Sequence, residues 1–394
     1  MNNLKFTVGK GNTTYDLSQL LEKVTWSGRR GSAPRTVEAV LLHTEQMDRA
    51  IVDCSEGQTC VLYEGKDELF RGLLMTEGYS SKRTLTLKAY DNCIYLCNNK
   101  GSFSFKKKRA DEIFKWCLKK LGLKAGTVAN TGHKIGELVK NATTYWDVIE
   151  DALSQTYAAT GKRFYVRSEK GKISLIERKA QNTAIKLQPG TNTEDYDFTR
   201  SIYDTRTRLS LKTSKGKEKK SYKDTALEKK IGVFAEVANV DEKITSTELT
   251  RRVNTFKREK ALVSKSLSWS GTGDTSVMSG GCIYADLSDI NTKRLMYVEE
   301  DTHVWEKGKH TMKLKMAYDK TSSSTTTTTT TTGNKYKVVN TSKVNFRKSP
   351  NGTIISVLSK GTEVTGDGIK NGSWYHVKHG GKWGYIYGQY LKKS

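Results

Sequence analysis

Hydrophobic and polar positions alternate over much of the first hundred residues. In RTLTLKAYD, Leu85, Leu87 and Ala89 share one face, and polar side chains occupy the positions between them. A hairpin is predicted to turn at residues 9–12, and further strand-like runs follow at short intervals. Short strands separated by turn signals predict a small β-barrel or sandwich over residues 1–100.

The period of the pattern changes from that of a strand to that of a helix after residue 100. Residues 109–123 carry their large apolar side chains on one stripe, and Gly122 marks the end of this predicted helix. Thr144, with Asp147 three residues later, predicts the capped start of a second helix that ends by Gly161. A hairpin turning at residues 170–171 follows, so we predict an α+β insert over residues 101–182.

The strand pattern returns between residues 183 and 320 and predicts a second barrel domain there. Residues 246–262 interrupt it with the pattern of a charged helix. Residues 200–230 hold eleven Lys or Arg against four Asp or Glu, which favours a solvated loop over a phosphate-binding site.

Twelve consecutive Ser and Thr residues precede Gly333, and none of them can build a core. We predict that residues 321–334 are a linker with a mean span on the order of 20 Å. The remaining segment, residues 335–394, reads as about five short strands with tight turns, which predicts a small separate β-domain.

The charge of the chain favours polyanionic partners. Its 394 residues carry a formal net charge of +25, which attracts nucleic acid, anionic membrane or anionic cell-wall polymer. No run has the length of a membrane span, so membrane insertion is not expected. The N-terminus lacks an apolar signal-peptide region, and we expect assembly in the bacterial cytoplasm.

The six cysteines do not have the spacing of a metal site. No CxxC pair occurs, and Cys93 and Cys97 have no histidine nearby in the chain. We therefore expect core thiols and neither a metal nor a cofactor.

Motifs of hydrolases and nucleotide enzymes are missing from the sequence: there is no GxSxG, HExxH, Walker A or GxGxxG. Asp301 and His303 lie two apart in a predicted strand and hence on one face, but no nucleophile is near them in the sequence. Glu194 belongs to an acidic cluster that more often marks a solvated turn than a catalytic pair. His43 is interpreted as the edge of a core, and an enzyme is not the favoured class.

The C-terminal segment resembles the bacterial SH3 (SH3b) family over about 60 residues. The matching segments, in chain order, are Val344-Asn345-Phe346-Arg347, Ser349-Pro350, Lys360-Gly361-Thr362, Trp374-Tyr375-His376-Val377, Gly384-Tyr385-Ile386 and Tyr390-Leu391. Phe346 departs from the family, which more often has a small aliphatic residue there. The resemblance implies a small β-barrel that binds bacterial cell wall.

Strand alternation then divides the rings of this segment between two faces. Trp374, His376 and Lys378 face one way and Tyr375 and Val377 the other, while Trp383, Tyr385 and Tyr387 share a face of the next predicted strand. The candidate cell-wall contacts are Trp374, His376, Trp383, Tyr385 and Tyr387. Flat rings pack on sugars or short peptides, but a domain this short also needs large side chains for its core. Both roles remain open for each ring at this point.

The body of the chain resembles the XkdQ-type baseplate hub proteins of contractile phage tails. The similar segments are TYDLSQLLEKVTWSGRRGSAPRTVEAVLL, ALEKKIGVFAEVANVDEKITSTEL, SGGCIYADL and MYVEEDTHVWEKGKHTMKLKM. The resemblance implies a homotrimer whose two barrels per chain form a ring between a sixfold tail tube and a threefold spike. Tail tube, spike or tip and other baseplate proteins are then the expected partners, with peptidoglycan as the partner of the SH3b domain.

The resulting hypothesis is a structural hub of a contractile phage tail or a phage-tail-like bacteriocin, mainly β with an α+β insert. The main alternative is a peptidoglycan hydrolase targeted by its SH3b domain, with Asp301, His303 or Glu194 as candidate catalytic groups. A third alternative is a basic nucleic-acid binder. The aromatic residues lie mainly away from the basic segment 200–230, so specific nucleic-acid binding is not expected.

Overall fold

The computed structural model describes residues 3–11, 13–42, 54–81, 83–178, 185–318, 334–347, 352–371 and 373–393. His43 and most of the predicted linker lie outside these ranges. The chain divides into two compact units, Met1–Thr321 (the large unit) and Ser322–Ser394 (the small unit). Both consist mainly of strands, which confirms the predicted fold class.

One sheet of thirteen strands forms the frame of the large unit. Its N-terminal strands are β1 (Leu4–Lys10), β2 (Thr13–Asp16), β3 (Leu21–Arg29), β4 (Ser32–Leu42), β5 (Thr59–Glu64), β6 (Asp67–Ser80) and β7 (Thr84–Asp91). Its C-terminal strands are β13 (Lys186–Leu187), β14 (Thr193–Ser201), β18 (Ser264–Thr272), β19 (Cys282–Leu287), β20 (Thr292–Glu306) and β21 (Lys309–Ala317). The main path runs β14-β18-β21-β20-β3-β4-β7-β6-β5-β1-β2.

Strand β20 joins the two halves of this sheet. It pairs antiparallel with β21 on one side and with β3 on the other, where His303 lies opposite Trp26 and Trp305 opposite Val24. Each half nevertheless has its own core, one around Phe6 and Leu62 and the other around Leu267 and Met296. The two barrel-like halves are therefore linked by direct strand pairing.

The α+β insert contains α1 (Ile94–Asn98), β8 (Lys100–Arg109), α2 (Ala110–Lys120), β9 (Ala125–Val128), β10 (Lys134–Thr144), α3 (Tyr145–Thr160), β11 (Phe164–Glu169) and β12 (Lys172–Glu177). Both predicted helices are confirmed. The Thr144 side chain accepts a hydrogen bond from the Asp147 amide at 3.0 Å, and Gly161 is the C-cap of α3. Ile113 and Phe114 of α2 are buried in the core of this insert.

A smaller module interrupts the second half of the sheet. It contains β15 (Arg208–Lys212), β16 (Glu218–Lys223), α4 (Thr225–Ile231), β17 (Ala235–Asn239) and α5 (Ser246–Glu259). Leu209, Leu211 and Phe256 form part of its own core. The basic segment 200–230 therefore contains a hairpin and a short helix as well as turns.

The small unit is a sheet of seven strands, two more than expected from the sequence. They are β22 (Asn334–Val338), β23 (Lys343–Arg347), β24 (Ile354–Ser359), β25 (Glu363–Asn371), β26 (Trp374–His379), β27 (Lys382–Tyr387) and β28 (Leu391–Lys393). Phe346 is buried in its core. A Cβ on Gly384 would lie 2.6 Å from Phe346 Cε2, so the glycine provides the room that this large ring needs.

Candidate functional site

Strands β26 and β27 of the small unit carry the aromatic face that the sequence predicted. Their antiparallel register places Trp374 opposite Tyr387, His376 opposite Tyr385 and Lys378 opposite Trp383. Val377 and Ile386 point to the other side and are fully buried. The core is therefore built from one set of alternating residues, and the five candidate contacts belong to the other set.

The rings on this face contact one another in two groups. His376 stacks on Trp383 with centroids 4.8 Å apart and an interplanar angle of 13°, and it lies 4.8 Å from Tyr385. Trp374 meets Tyr387 edge to face at 5.2 Å. Contact between neighbouring rings restricts their rotation, so the face is organised before a ligand arrives.

Exposure and charge make this face suitable for an anionic, sugar-containing polymer. Trp383 is 43% exposed, a large fraction for a tryptophan. Lys378 Nζ lies 5.8 Å from the Trp383 ring centroid, at the distance of a cation–π contact. A flat ring beside a mobile ammonium group can pack against a sugar ring and attract a nearby phosphate or carboxylate. The sequence alternation placed Lys378 on this face without singling it out as a contact.

The pair Asp301 and His303, the candidate hydrolase residues, lies in the interior of the large unit. Both are buried, with relative exposures of 1% and 0%, and Asp301 Oδ2 is 3.6 Å from His303 Nε2. Glu194 is exposed on β14, which is separated from β20 by two strands. The structure therefore brings two of these three candidates together, in a place that a glycan strand does not reach.

Asp301 is held by a partner that sequence reasoning missed. Arg35 donates to its two carboxylate oxygens at 2.8 and 2.5 Å, and the Ser279 amide donates at 2.6 Å. Gly28 lies opposite Asp301, and a Cβ there would be 2.3 Å from Arg35 Nη1. Arg35 also lies over the Trp26 ring, 4.4 Å from its centroid. The guanidinium thus fills a space left by a glycine and connects both halves of the sheet.

Burial and charge set the protonation states of this network. Burial raises the pKa of Asp301, but Arg35 and the other groups around the carboxylate together outweigh burial, and the pKa is lowered overall. Burial lowers the pKa of His303 to about 4 despite the nearby Asp301 carboxylate. The ring is held by the Val277 carbonyl at 2.9 Å and by His310 at 3.1 Å. A neutral, buried imidazole beside a carboxylate that is paired with Arg35 has the features of a core network that supports the fold.

Replacing His303 with glutamine should remove a pH-dependent contribution to stability. Below the ordinary histidine pKa of about 6.5, His303 is protonated in the unfolded chain, whereas in the folded chain it stays neutral down to about pH 4. The contribution of His303 to the free energy of unfolding therefore decreases as the pH falls through this range. The free energy of unfolding of the native chain minus that of His303→Gln should decrease by about 2–3 kcal/mol between pH 7 and pH 4.5.

Comparing the two chains at each pH cancels the titrating groups that lie away from His303 and its neighbours Asp301 and His310, because those groups occur in both. Asp91 is one of them: burial raises its pKa to about 6, which has the opposite effect on stability over part of this range. Hydrogen exchange under increasing urea, followed on peptides from β20 at several pH values, provides the measurement for the large unit. A difference that stays constant with pH would contradict a buried neutral His303.

A second ion network connects the insert to the same sheet. Glu299 lies 2.5 Å from Arg30 Nε and 2.7 Å from Arg178 Nη2, and Arg178 also lies over the Tyr297 ring at 3.9 Å. Burial lowers the pKa of Arg178, and Glu299 opposes that effect. These groups border a cleft of about 500 Å³. The arrangement holds the end of β12 against β20.

Other kinds of site were searched for in the described ranges. No group of three or more His, Cys, Asp or Glu residues there has the arrangement of a metal site. None of the helices in those ranges combines the length and the apolar character of a membrane span. The six cysteines are free thiols, and burial raises the pKa of Cys60 to about 12.

The fold of this chain is shared with phage tail proteins. The prophage MuSo2 43 kDa tail protein from Shewanella oneidensis is similar to it with a TM-score of 0.63 and 13% identity, over 80% of this chain and 98% of that one. The Escherichia coli c3393 protein, a type VI secretion component described as similar to the T4 tail proteins gp27 and gp5, has a TM-score of 0.50 and 9% identity, over 93% of this chain and 91% of that one. This chain therefore has the fold of phage tail proteins.

The chain belongs to the YQBQ-like family, which matches residues 24–317, and residues 342–392 match the bacterial SH3 domain. Phage-like element PBSX protein XkdQ from Bacillus subtilis (strain 168) is 35% identical over 301 residues, which are 75% of this chain and 92% of that protein. The resemblances inferred from the sequence are thus confirmed for both parts of the chain.

Proposed function

We propose that this chain is a structural baseplate hub of a contractile phage tail or phage-tail-like bacteriocin. Three copies form a ring that adapts a sixfold tail tube to a threefold spike, and the SH3 unit binds bacterial peptidoglycan. The proposed domains are residues 1–100 and 183–320 for the two barrels, 101–182 for the insert, 321–334 for the linker and 335–394 for the SH3 unit.

The observation that carries this proposal is the continuous sheet with two separate cores. Pairing of β20 with β3 fixes the two barrel-like halves of each chain against each other. Three such chains present six barrel-like halves, so a cyclic trimer can match sixfold symmetry on one side while keeping threefold symmetry on the other. The fold shared with tail proteins supports the same interpretation.

An outer edge of the sheet is available for contact with a second copy. β14 is the end strand of the main path and pairs with β18 alone among the described strands. Its exposed acids Glu194, Asp195 and Asp197 suit a protective role, because charges on an edge strand discourage uncontrolled pairing. The acidic cluster is thus explained by protection of a free strand edge before assembly and needs no catalytic role.

In solution or in the particle, the full chain should be present in three copies. Light scattering coupled to size exclusion should give a mass three times 44.2 kDa, and the purified particle should show three copies per tail tip. A Trp383→Ala variant should keep this mass, since the proposed ring does not involve the small unit. A monomer across a wide concentration range and one copy per particle would overturn the hub.

A further inference from the structure

An aromatic groove lies between β8 and α2 of the insert. Residues 102–105 of β8 form one wall, and Ile113 and Trp116 of α2 contribute to the other. The groove has a volume of about 280 Å³, enough for one or two side chains but not for a large cofactor. In the described part of the chain, β8 pairs with β10 only, so the groove runs beside an edge strand.

The walls of this groove are rings fixed by one another. Trp116 meets Phe105 edge to face at 5.2 Å and Phe103 at 6.0 Å. Tyr145 packs behind them, 4.9 Å from Phe103. Phe103 is buried, whereas Trp116 remains 37% exposed. An exposed tryptophan at the lip of a preformed apolar groove is typical of an interaction surface.

The surroundings of the groove are strongly cationic. Six exposed lysines lie near the C-terminal end of β8 and on α2: Lys106, Lys107, Lys108, Lys115, Lys119 and Lys120. None of these six forms an ion pair with another described residue, whereas neighbouring Arg109 pairs with Asp111. Lys108 lines the groove, and Lys120 Nζ lies 5.5 Å from the Trp116 centroid. A cluster of unpaired like charges beside an apolar groove is complementary to an anionic partner.

The acid that lines the groove is already engaged within the chain. Glu112 accepts a hydrogen bond from the Arg109 amide at 2.8 Å as part of the α2 cap. Its charge offsets part of that of Lys108, but one carboxylate does not balance six lysines, so the rim of the groove stays positive.

We propose that this groove docks an extended acidic segment of another protein, which adds a strand to the free edge of β8. Apolar side chains at alternate positions of the segment enter the groove between Phe105 and Trp116, and the acids between them meet the lysines. The groove shares no residue with the proposed ring contact at β14 or with the SH3 face, so the inference does not depend on the hub.

A protein segment is favoured over nucleic acid by the shape of the surface. A strand edge presents evenly spaced backbone groups that match an extended peptide, whereas single-stranded nucleic acid needs ring faces open for stacking. Here Trp116 and the phenylalanines meet edge to face, and the groove admits side chains of modest size.

The test uses the full-length protein and a fluorescent eight-residue peptide of alternating glutamate and leucine with blocked ends. Fluorescence anisotropy should show saturable binding, and a peptide with lysine in place of glutamate should bind at least about tenfold more weakly. Trp116→Ala and, independently, Lys108→Glu should each weaken binding by about tenfold or more. Lys217→Glu, the same charge change at an exposed turn of another sheet, should leave it within about twofold.

Further probes separate strand addition from other modes of binding. Two peptides N-methylated at alternate amides, one at the odd and one at the even positions, should differ in affinity. In one of them the methyl groups block the edge that pairs with β8, and in the other they leave that edge free. Equal affinity of the two methylated peptides would overturn the proposal, as would binding of polyglutamate as tight as that of the alternating peptide.

Tighter binding of oligothymidylate would identify a nucleic-acid surface instead. Self-association lost in Trp116→Ala would assign the groove to a second copy of this chain. Circular dichroism checks that each variant is folded.

Discussion

Replacing Asp301 with alanine should destabilise the large unit by about 3–5 kcal/mol. The change leaves the Arg35 guanidinium buried, with 11% of its side chain exposed, and without the carboxylate that neutralises it. The Ser279 amide loses its acceptor as well. Removing one member of a buried pair costs far more than the pair itself contributes, because the remaining charge stays desolvated.

Glu300→Ala is the matched control, since Glu300 is the next residue of the same strand. It pairs with Arg29 at 3.0 Å and with Lys315 at 2.8 Å, and both basic side chains are well exposed. Exposed pairs contribute about 0–1 kcal/mol, so this variant should unfold close to the native chain.

The measurement must distinguish the two units, because a chain with two compact units does not have one free energy of unfolding. Hydrogen exchange under increasing urea, followed on peptides from β3 and β20, reports the large unit directly. Substituting Arg35 and Asp301 together with apolar residues should recover part of the loss, because no charge is then left unpaired. A loss for Asp301→Ala no greater than that for Glu300→Ala would contradict the buried network.

This network also shows what the sequence could not predict. Arg35 and Asp301 are separated by 266 residues, and neither has a local pattern that indicates its partner. The same holds for the pairing of β20 with β3, which depends on register over the whole domain. Asp301 and His303 were recognised as neighbours on one face, but their burial decides their role and depends on strands far away in the chain.

Local features, by contrast, were predicted well. The Thr144 cap and the Gly161 end of α3 depend on residues within one or two turns of the helix. Leu85, Leu87 and Ala89 are buried as the alternation required. On the SH3 unit, alternation separated the core residues from the aromatic face, but only the structure shows that His376 stacks on Trp383. Ring contacts depend on cross-strand register, which the sequence does not specify by itself.

Replacing Trp383 with alanine should weaken binding of the protein to purified bacterial cell walls by about 30-fold. The variant removes the most exposed tryptophan of the aromatic face and the ring on which His376 stacks. It also removes the contact surface next to Lys378. Truncating a central aromatic contact commonly costs 2 kcal/mol or more, which corresponds to about 30-fold in affinity.

Val357→Ala is the control for this prediction, because Val357 is also open to solvent, at 53%, but lies on β24, which β23 separates from β27. It should bind walls within about twofold of the native chain. Sedimentation of the full-length protein with sacculi, before and after removal of wall-linked anionic polymer, separates ring contacts from charge contacts. Loss of binding only on removal of that polymer, with Trp383→Ala unchanged, would assign recognition to the basic surface. Retained binding of Trp383→Ala to stripped sacculi would exclude the aromatic face as the wall-binding site.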